Sequence, residues 1–313
     1  MKIKLSTLAY LATLALLLIA PALIYPVLLM KVLCFALFAC AFNLLLGFTG
    51  LLSFGHAVFF GTAGYIAGHA LKVWAIPPLA GLAFATLCAA GLGLIIGLLA
   101  IRRQGIYFAM ITLALAQLMF FVLMQAPFTG GEDGLQSVPR GTLFGIDLAN
   151  DNNLYYLVLA LFAGSFWLIR RTVHSPFGQI LKAIRENEAR AISLGYDVAH
   201  YKLLAFVLSA AIAGLAGAAK TLVFSFVTLT DAHWHTSGEV VLMTLLGGVG
   251  TVFGPVLGAT IVVTIQNELA DKVGSLVTVV MGVIFVVCVL AFRRGIVGEA
   301  SALYRKMIGE KVG

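Results

Sequence analysis

From Leu79 to Ala100 the chain carries no charged side chain, and long apolar runs recur over residues 7–29, 32–50, 54–71, 105–125, 154–169, 203–225 and 274–292. A helix of about 20 apolar residues matches the hydrocarbon thickness of a bilayer. Composition supports that reading: 61% of the 313 residues are hydrophobic and 11% are charged, against about 25% charged in a soluble domain. The expected fold class is therefore all-α, a polytopic transmembrane helix bundle with eight to ten membrane segments. Two shorter runs, 239–249 and 253–266, meet at Gly250 and are expected as half-membrane helices. No stretch has a soluble domain's composition, so residues 1–313 are read as one transmembrane domain. Lys2 and Lys4 precede an apolar run, as in a signal peptide. Pro21 and Pro26 interrupt that run, no clear A-x-A cleavage site follows and apolar sequence continues beyond it, which predicts an uncleaved first span.

Charge orients the spans. All charged residues before Glu132 are Lys or Arg, and the basic residues of the chain lie between apolar runs. That distribution suits the positive-inside rule and excludes a nucleic-acid-binding face. With Lys2 and Lys4 cytoplasmic, Arg102 and Arg103 fall inside and the loop 126–153 outside. That loop holds Glu132, Asp133, Asp147 and Asp151 against Arg140. Arg170, Arg171, Lys182, Arg185 and Arg190 then return inside, and so do Arg293 and Arg294 if 226–292 crosses an odd number of times. A re-entrant hairpin followed by one span, or three crossings, both satisfy this count.

The inside-facing stretch 170–202 reads as two short helices. Ser175-Pro176 suits an N-cap and first turn, with a helix to about Arg185. Asn187 can cap a second helix with Glu188 in its first turn, and Gly195 suits the position just past its end. Mixed polar and apolar faces in a tight cytoplasmic loop favour docking to a partner over an idle surface.

Within the spans, Asn43, Ser53 and His56 lie on Gly-broken segments and are candidates to line a path, with polar packing between helices as the competing role. Glu239 opens a short half-helix, where an ionisable group at membrane depth marks function or a cap. Lys220, near the outer end of its run, is expected to snorkel. His233 and His235 flank Trp234 with no further metal ligand nearby, which predicts an interfacial loop. Cys34, Cys40, Cys88 and Cys288 lie in apolar runs without CxxC spacing, so neither disulfide nor metal site is expected. Gly214 to Thr221 imitates a phosphate-binding loop, but Ala219 replaces the Gly before Lys220 and no strand precedes it. Small residues four apart (Gly64/Gly68, Gly93/Gly97, Ala210/Gly214/Ala218) predict close helix packing. The run Leu45-Leu46-Gly47-Phe48-Thr49-Gly50 is echoed by Leu245-Leu246-Gly247-Gly248-Val249-Gly250, a weak internal repeat of the kind found in transporter halves.

The motifs Ile184-Arg185-Glu186-Asn187-Glu188-Ala189-Arg190-Ala191-Ile192-Ser193-Leu194-Gly195 with Tyr201 to Phe206, Asn43 to Gly50 continuing to His56, Thr129-Gly130-Gly131 with Asp133-Gly134-Leu135, Leu245 to Gly248 through Phe253-Gly254-Pro255, and Arg294-Gly295 stand out. Together they resemble LivM-type branched-chain amino-acid permeases of ATP-binding-cassette importers. The order is kept along nearly the whole chain. Arg190 departs from the general importer motif, which has a second Ala after Ala189. The resemblance implies a permease in the bacterial inner membrane with both termini cytoplasmic. Its implied partners are a second homologous permease subunit, two cytoplasmic ATPase subunits that hold ATP and Mg, and a periplasmic substrate-binding protein. The loop at Arg185–Gly195 would be what the ATPase grips, and the cargo would be leucine, isoleucine and valine, or another small amino acid, amide or urea. An ion-coupled carrier would place carboxylates mid-helix, yet of 13 acidic residues only Glu239 falls at the edge of an expected segment. A membrane enzyme would need a motif such as H-E-x-x-H, and the chain has none.

Overall fold

The computed structural model describes residues 17–276, apart from 23 and 144, and short stretches between 279 and 299. It is built from helices: α1 (Pro26–Thr49), α2 (His56–Lys72), α3 (Pro78–Ala100), α4 (Ile106–Gln125), α5 (Asp151–His174), α6 (Pro176–Glu186), α7 (Glu188–Ser193), α8 (Val198–Phe224), α9 (Trp234–Gly247) and α10 (Gly254–Val273). Between α4 and α5 the strands β1 (Thr142–Leu143) and β2 (Ile146–Asp147) pair as a small antiparallel hairpin. Helices α1, α3, α4, α5 and α8 are long and apolar enough to cross a membrane.

Proline sets several starts. Pro26, Pro78 and Pro176 each stand at the first helical position, where a missing N–H costs nothing. This moves the expected boundary between spans 7–29 and 32–50. Pro26 opens α1 instead of interrupting a helix, so residues 26–31 join the second run and Lys31 lies inside a helix. Residues 7–16 of the first expected span and most of 274–292, with Arg293 and Arg294, lie outside the described residues. Helix α5 begins earlier than its apolar run because the Asn150 side chain accepts from the Asn152 N–H at 3.0 Å. Helix α10 continues through Gln266, Asn267, Glu268 and Asp271 to Val273, past the expected end at 266. A helix does not stop where hydrophobicity does unless a breaker stops it.

Helix α9 has 14 residues and α2 has 17, about 21 and 25 Å at 1.5 Å per residue, so neither spans a core of about 30 Å alone. The remaining depth at α2 is taken by non-helical backbone, residues 50–55, in which Leu51, Ser53 and Gly55 are buried. Irregular backbone at such depth is tolerated only inside protein or along a cavity.

Helices α1 and α8 form the centre. Almost every side chain of α1 from Leu33 to Thr49 is buried, whereas α3 and α4 expose Leu87, Ile95, Leu99, Met110 and Phe121 as a lipid-facing surface does. The small-residue stripes meet in one seam. Gly93 faces Ala210, Gly214 faces Ala63 and Ala89, and Gly217 lies against the Phe60 carbonyl, so α2 and α3 both approach α8 to backbone contact.

Candidate functional site

At one end of the bundle, the loop helices α6 and α7 lie across the ends of α1 and α8. Their capping follows the sequence. Ser175 accepts from the Gly178 N–H at 3.3 Å and Asn187 from the Arg190 N–H at 3.0 Å, while Gly195 adopts φ +87 just past α7. Gly178, Leu181 and Ile184 form the buried face of α6, and Ala191 packs with Ile184 and Val198 beneath α7.

Two polar ties fasten this loop to the membrane helices. Arg185 donates from Nη1 to the Gly47 carbonyl at the end of α1. Glu188 pairs with Lys202 on α8 at 2.7 Å, and Lys202 is only 4% exposed. Opposite these ties, Glu186, Asn187, Ala189, Arg190 and Gly195 are exposed. So are the apolar Ile192, Leu194 and Tyr196. The polar neighbourhood hides this apolar patch from hydropathy, and sequence reasoning did not single it out. The signal was present as large apolar residues in and just past a helix too short to bury them.

Arg185 also sits at the meeting point of the two echoed segments. Gly50 and Gly250 both have φ +77, a left-handed conformation that side chains rarely adopt, and each packs against the Arg185 side chain. Asn43 stitches them together: Nδ2 donates to the Thr251 carbonyl at 2.8 Å and Oδ1 accepts from the Gly250 N–H at 2.9 Å. The echo thus corresponds to two helix–Gly break–helix units, α1–α2 and α9–α10, whose breaks lie in contact. Gly295 reaches the same point, close against the Gly248 backbone.

The other candidates lie deeper. Ser53 is fully buried and accepts from the Gly55 N–H at 3.3 Å. His56 opens α2 with Nε2 2.7 Å from the Ser209 hydroxyl, which itself donates to the Ala41 carbonyl. That arrangement makes Nε2 the protonated nitrogen and leaves Nδ1 without a partner. Phe38, Phe42, Phe59 and Phe206 surround the ring. The Ala57 N–H donates to Ser237 on α9 at 2.9 Å, so the starts of the two short helices approach each other mid-bundle. Glu239 accepts from Gln266 on α10 at 2.9 Å and lies 3.8 Å from His235. Asn43, Ser53, His56 and Glu239 are therefore not one cluster: Asn43 belongs to the glycine crossing, Ser53 and His56 to the start of α2, and Glu239 to the α9–α10 hairpin.

Lys220 does not snorkel. It is buried, with Nζ 2.5 and 2.6 Å from the two oxygens of Asp231, and it faces the Phe224 and Phe226 rings at 5.7 and 5.5 Å. Asp231 lies on the short turn Leu229–Ala232, which folds back into the bundle. Sequence counting missed it because 226–238 reads as a loop. The Gly214–Thr221 stretch is helical throughout, inside α8. His233 accepts from the His235 N–H at 3.4 Å, and among the described residues no group of three or more His, Cys, Asp or Glu side chains could hold a metal ion.

At the opposite end the loop 126–153 is held by its own backbone. Thr129 donates to the Leu123 and Ala126 carbonyls at 2.6 and 2.7 Å, closing α4. Gly130, Gly131 and Gly134 take positive φ, with Gly134 against the Val227 carbonyl. Leu135 and Val227 form a β-bridge to the segment after α8. Arg140 joins Asp151 and the Val223 carbonyl, each at 2.7 Å. Glu132 and Asp133 remain exposed.

Residues 25–290 match the family model described as the branched-chain amino acid transport system permease component. The chain is 29% identical over 258 residues to the high-affinity branched-chain amino acid transport system permease protein LivM of Salmonella typhimurium, covering 73% of this chain and 60% of that one. The same figures hold for the LivM protein of Escherichia coli. The autoinducer 2 import system permease protein LsrC of Klebsiella pneumoniae is 33% identical over 153 residues, covering 45% of this chain and 42% of that protein. The chain thus spans about 60% of the length of the LivM relatives it matches. No solved structure matches it. A match over most of the chain, together with several helices able to cross a bilayer, means that the chain belongs to the branched-chain amino acid transport system permease family and is an integral membrane protein.

Proposed function

We propose that this chain is one permease subunit of an ATP-binding-cassette importer for branched-chain amino acids. In this reading residues 1–313 form a single permease domain in a bacterial inner membrane, with both termini and the Arg185 end of the bundle cytoplasmic. Two ATPase subunits, which hold ATP and Mg, dock on the loop 170–202. A second homologous permease completes the path, and a periplasmic binding protein delivers leucine, isoleucine or valine to the end that carries the loop 126–153. Closure of the ATPase pair would move α6 and α7, and the bundle would alternate between outward and inward openings.

The observation that carries this reading is the loop at Arg185–Gly195, which presents exposed Ile192 and Leu194 on one side and is tied to two membrane helices on the other. A surface loop with no load to transmit has no need of a buried ammonium such as Lys202, whose desolvation is costly unless its partner holds it. Arg185 would pass displacement to α1 and to the crossing of the two Gly-broken units, and Glu188 to α8.

The test is reconstitution in vesicles with the three partner types. Labelled leucine should accumulate only with internal ATP and loaded binding protein. Accumulation driven by an ion gradient without ATP would refute the importer class, while uptake of urea but not leucine would refute the cargo alone.

A further inference from the structure

Two non-helical segments enter the bundle from opposite ends. Residues 50–55 lead up to His56, and the segment after α8 leads down from Val227, bridged to Leu135, to Ala232, which packs its backbone on Gly61 within α2. Their tips lie within two turns of each other along α2. The second segment carries Asp231, and its only charge partner among the described residues is Lys220.

An ion pair here is expensive. Both side chains are about nine-tenths buried, and replacing such a pair by apolar residues often costs a fold nothing. Packing therefore gives no reason to keep it. A further observation points to a ligand. Among the described residues three buried side-chain atoms have no hydrogen-bond partner, and all belong to α2: His56 Nδ1, Thr62 Oγ1 and Tyr65 Oη. Tyr65 shares the face of α2 whose Gly61 and Gly68 pack on Ala232 and on Leu135, and its side chain is wholly buried. Such orphaned groups are rare in a well-packed interior.

We propose that Lys220 and Asp231 form an intramembrane docking site for a zwitterionic solute, beside the face of α2 that carries the unpartnered Tyr65 hydroxyl. When the bundle opens, the Lys220 ammonium takes the solute's carboxylate and Asp231 takes its ammonium. One internal ion pair is exchanged for two intermolecular ones, and because the solute's own charges cancel, no net charge is buried and no proton moves. With the solute gone the pair closes on itself, as it stands in this structure, beneath the Phe224 and Phe226 rings. This rests on the proposed import of an amino acid and adds where that amino acid is held.

The decisive variant is the double substitution Lys220→Met with Asp231→Leu, which removes both charges and leaves none unpaired. Reconstituted with its partners, it should assemble with the ATPase subunits at the wild-type yield while leucine uptake falls roughly 100-fold, the loss of two charge-assisted contacts. Uptake at the wild-type rate would overturn the proposal and leave the pair a structural clamp. Should this variant fail to assemble, the wild-type permease–ATPase complex decides without binding protein. Labelled leucine retained by it should be displaced by excess valine but not by leucine amide or 4-methylpentanoate, each of which lacks one charge. Displacement by either, or no retention of leucine at all, would overturn the site. A wild-type complex that imports an uncharged solute instead of leucine would sink the cargo reading separately.

Discussion

Removing Glu188 tests the coupling argument most directly. Its carboxylate lies 2.7 Å from Lys202 Nζ, and Lys202 is 4% exposed while the Glu188 side chain is 24% exposed. At an effective dielectric of 20, two unit charges at that separation attract by roughly 6 kcal/mol, an upper bound. Solvent reaches the Glu188 side, and screening there reduces the net value toward about 2 kcal/mol. A double-mutant cycle of Glu188→Gln and Lys202→Met should therefore give a coupling energy of about 2 kcal/mol, near a 30-fold effect. The assay is twofold: denaturant titration of the purified permease, and leucine molecules moved per ATP hydrolysed in the reconstituted complex. Each single variant should lower that ratio about tenfold with the ATPase still bound, because α7 then slides over α8 without pulling it. The exchange Glu188→Lys with Lys202→Glu should recover most of it. A coupling energy below about 0.5 kcal/mol, or an exchange variant no better than the singles, would refute the idea that this pair carries force.

Leu194→Asp, at a position 68% exposed, should leave the fold's stability within about 0.5 kcal/mol yet weaken ATPase co-purification by about 30-fold, as loss of an apolar anchor does. Gly250→Ala forces a Cβ into φ +77 beside Arg185 and should cost about 1–2 kcal/mol in denaturant titration; an unchanged midpoint would mean the turn relaxes freely. Thr129→Val removes a hydroxyl that bonds two carbonyls at the end of α4 and should destabilise by about 1–2 kcal/mol, read as faster amide exchange over 123–135. Gly217→Ala pushes α8 off the Phe60 carbonyl and should cost about 1–3 kcal/mol or abolish expression, whereas Gly238→Ala, with open space around it, should do neither.

The two Gly-broken units give these perturbations a common frame. Each runs as a helix to a glycine at φ +77 and restarts in the reverse direction, and Asn43 and Arg185 bind the two breaks together. In the proposed function, a displacement of α6 would reach α1, α2, α9 and α10 through this one contact point. Gly295, packed on Gly248, brings the chain past α10 to the same place.

Local information reached far in this protein. The length of apolar runs defined α3, α4 and α8 within a few residues, and Ser175, Pro176, Asn187 and Gly195 marked both loop helices, because a span's length and a helix cap depend on neighbours in the chain. Boundaries erred where a local signal had two meanings: Pro26 starts a helix as readily as it breaks one, and the polar end of α10 stays helical. What the linear sequence could not determine was which charges meet. Lys220 read as a snorkelling residue because Asp231 counted as loop, and Lys31 read as a gap between spans. The partners Asn43–Gly250, Arg185–Gly47 and His56–Ser209 lie 207, 138 and 153 residues apart. Only packing decides such pairs, since the cost of burying a polar group is set by whatever the folded chain brings against it.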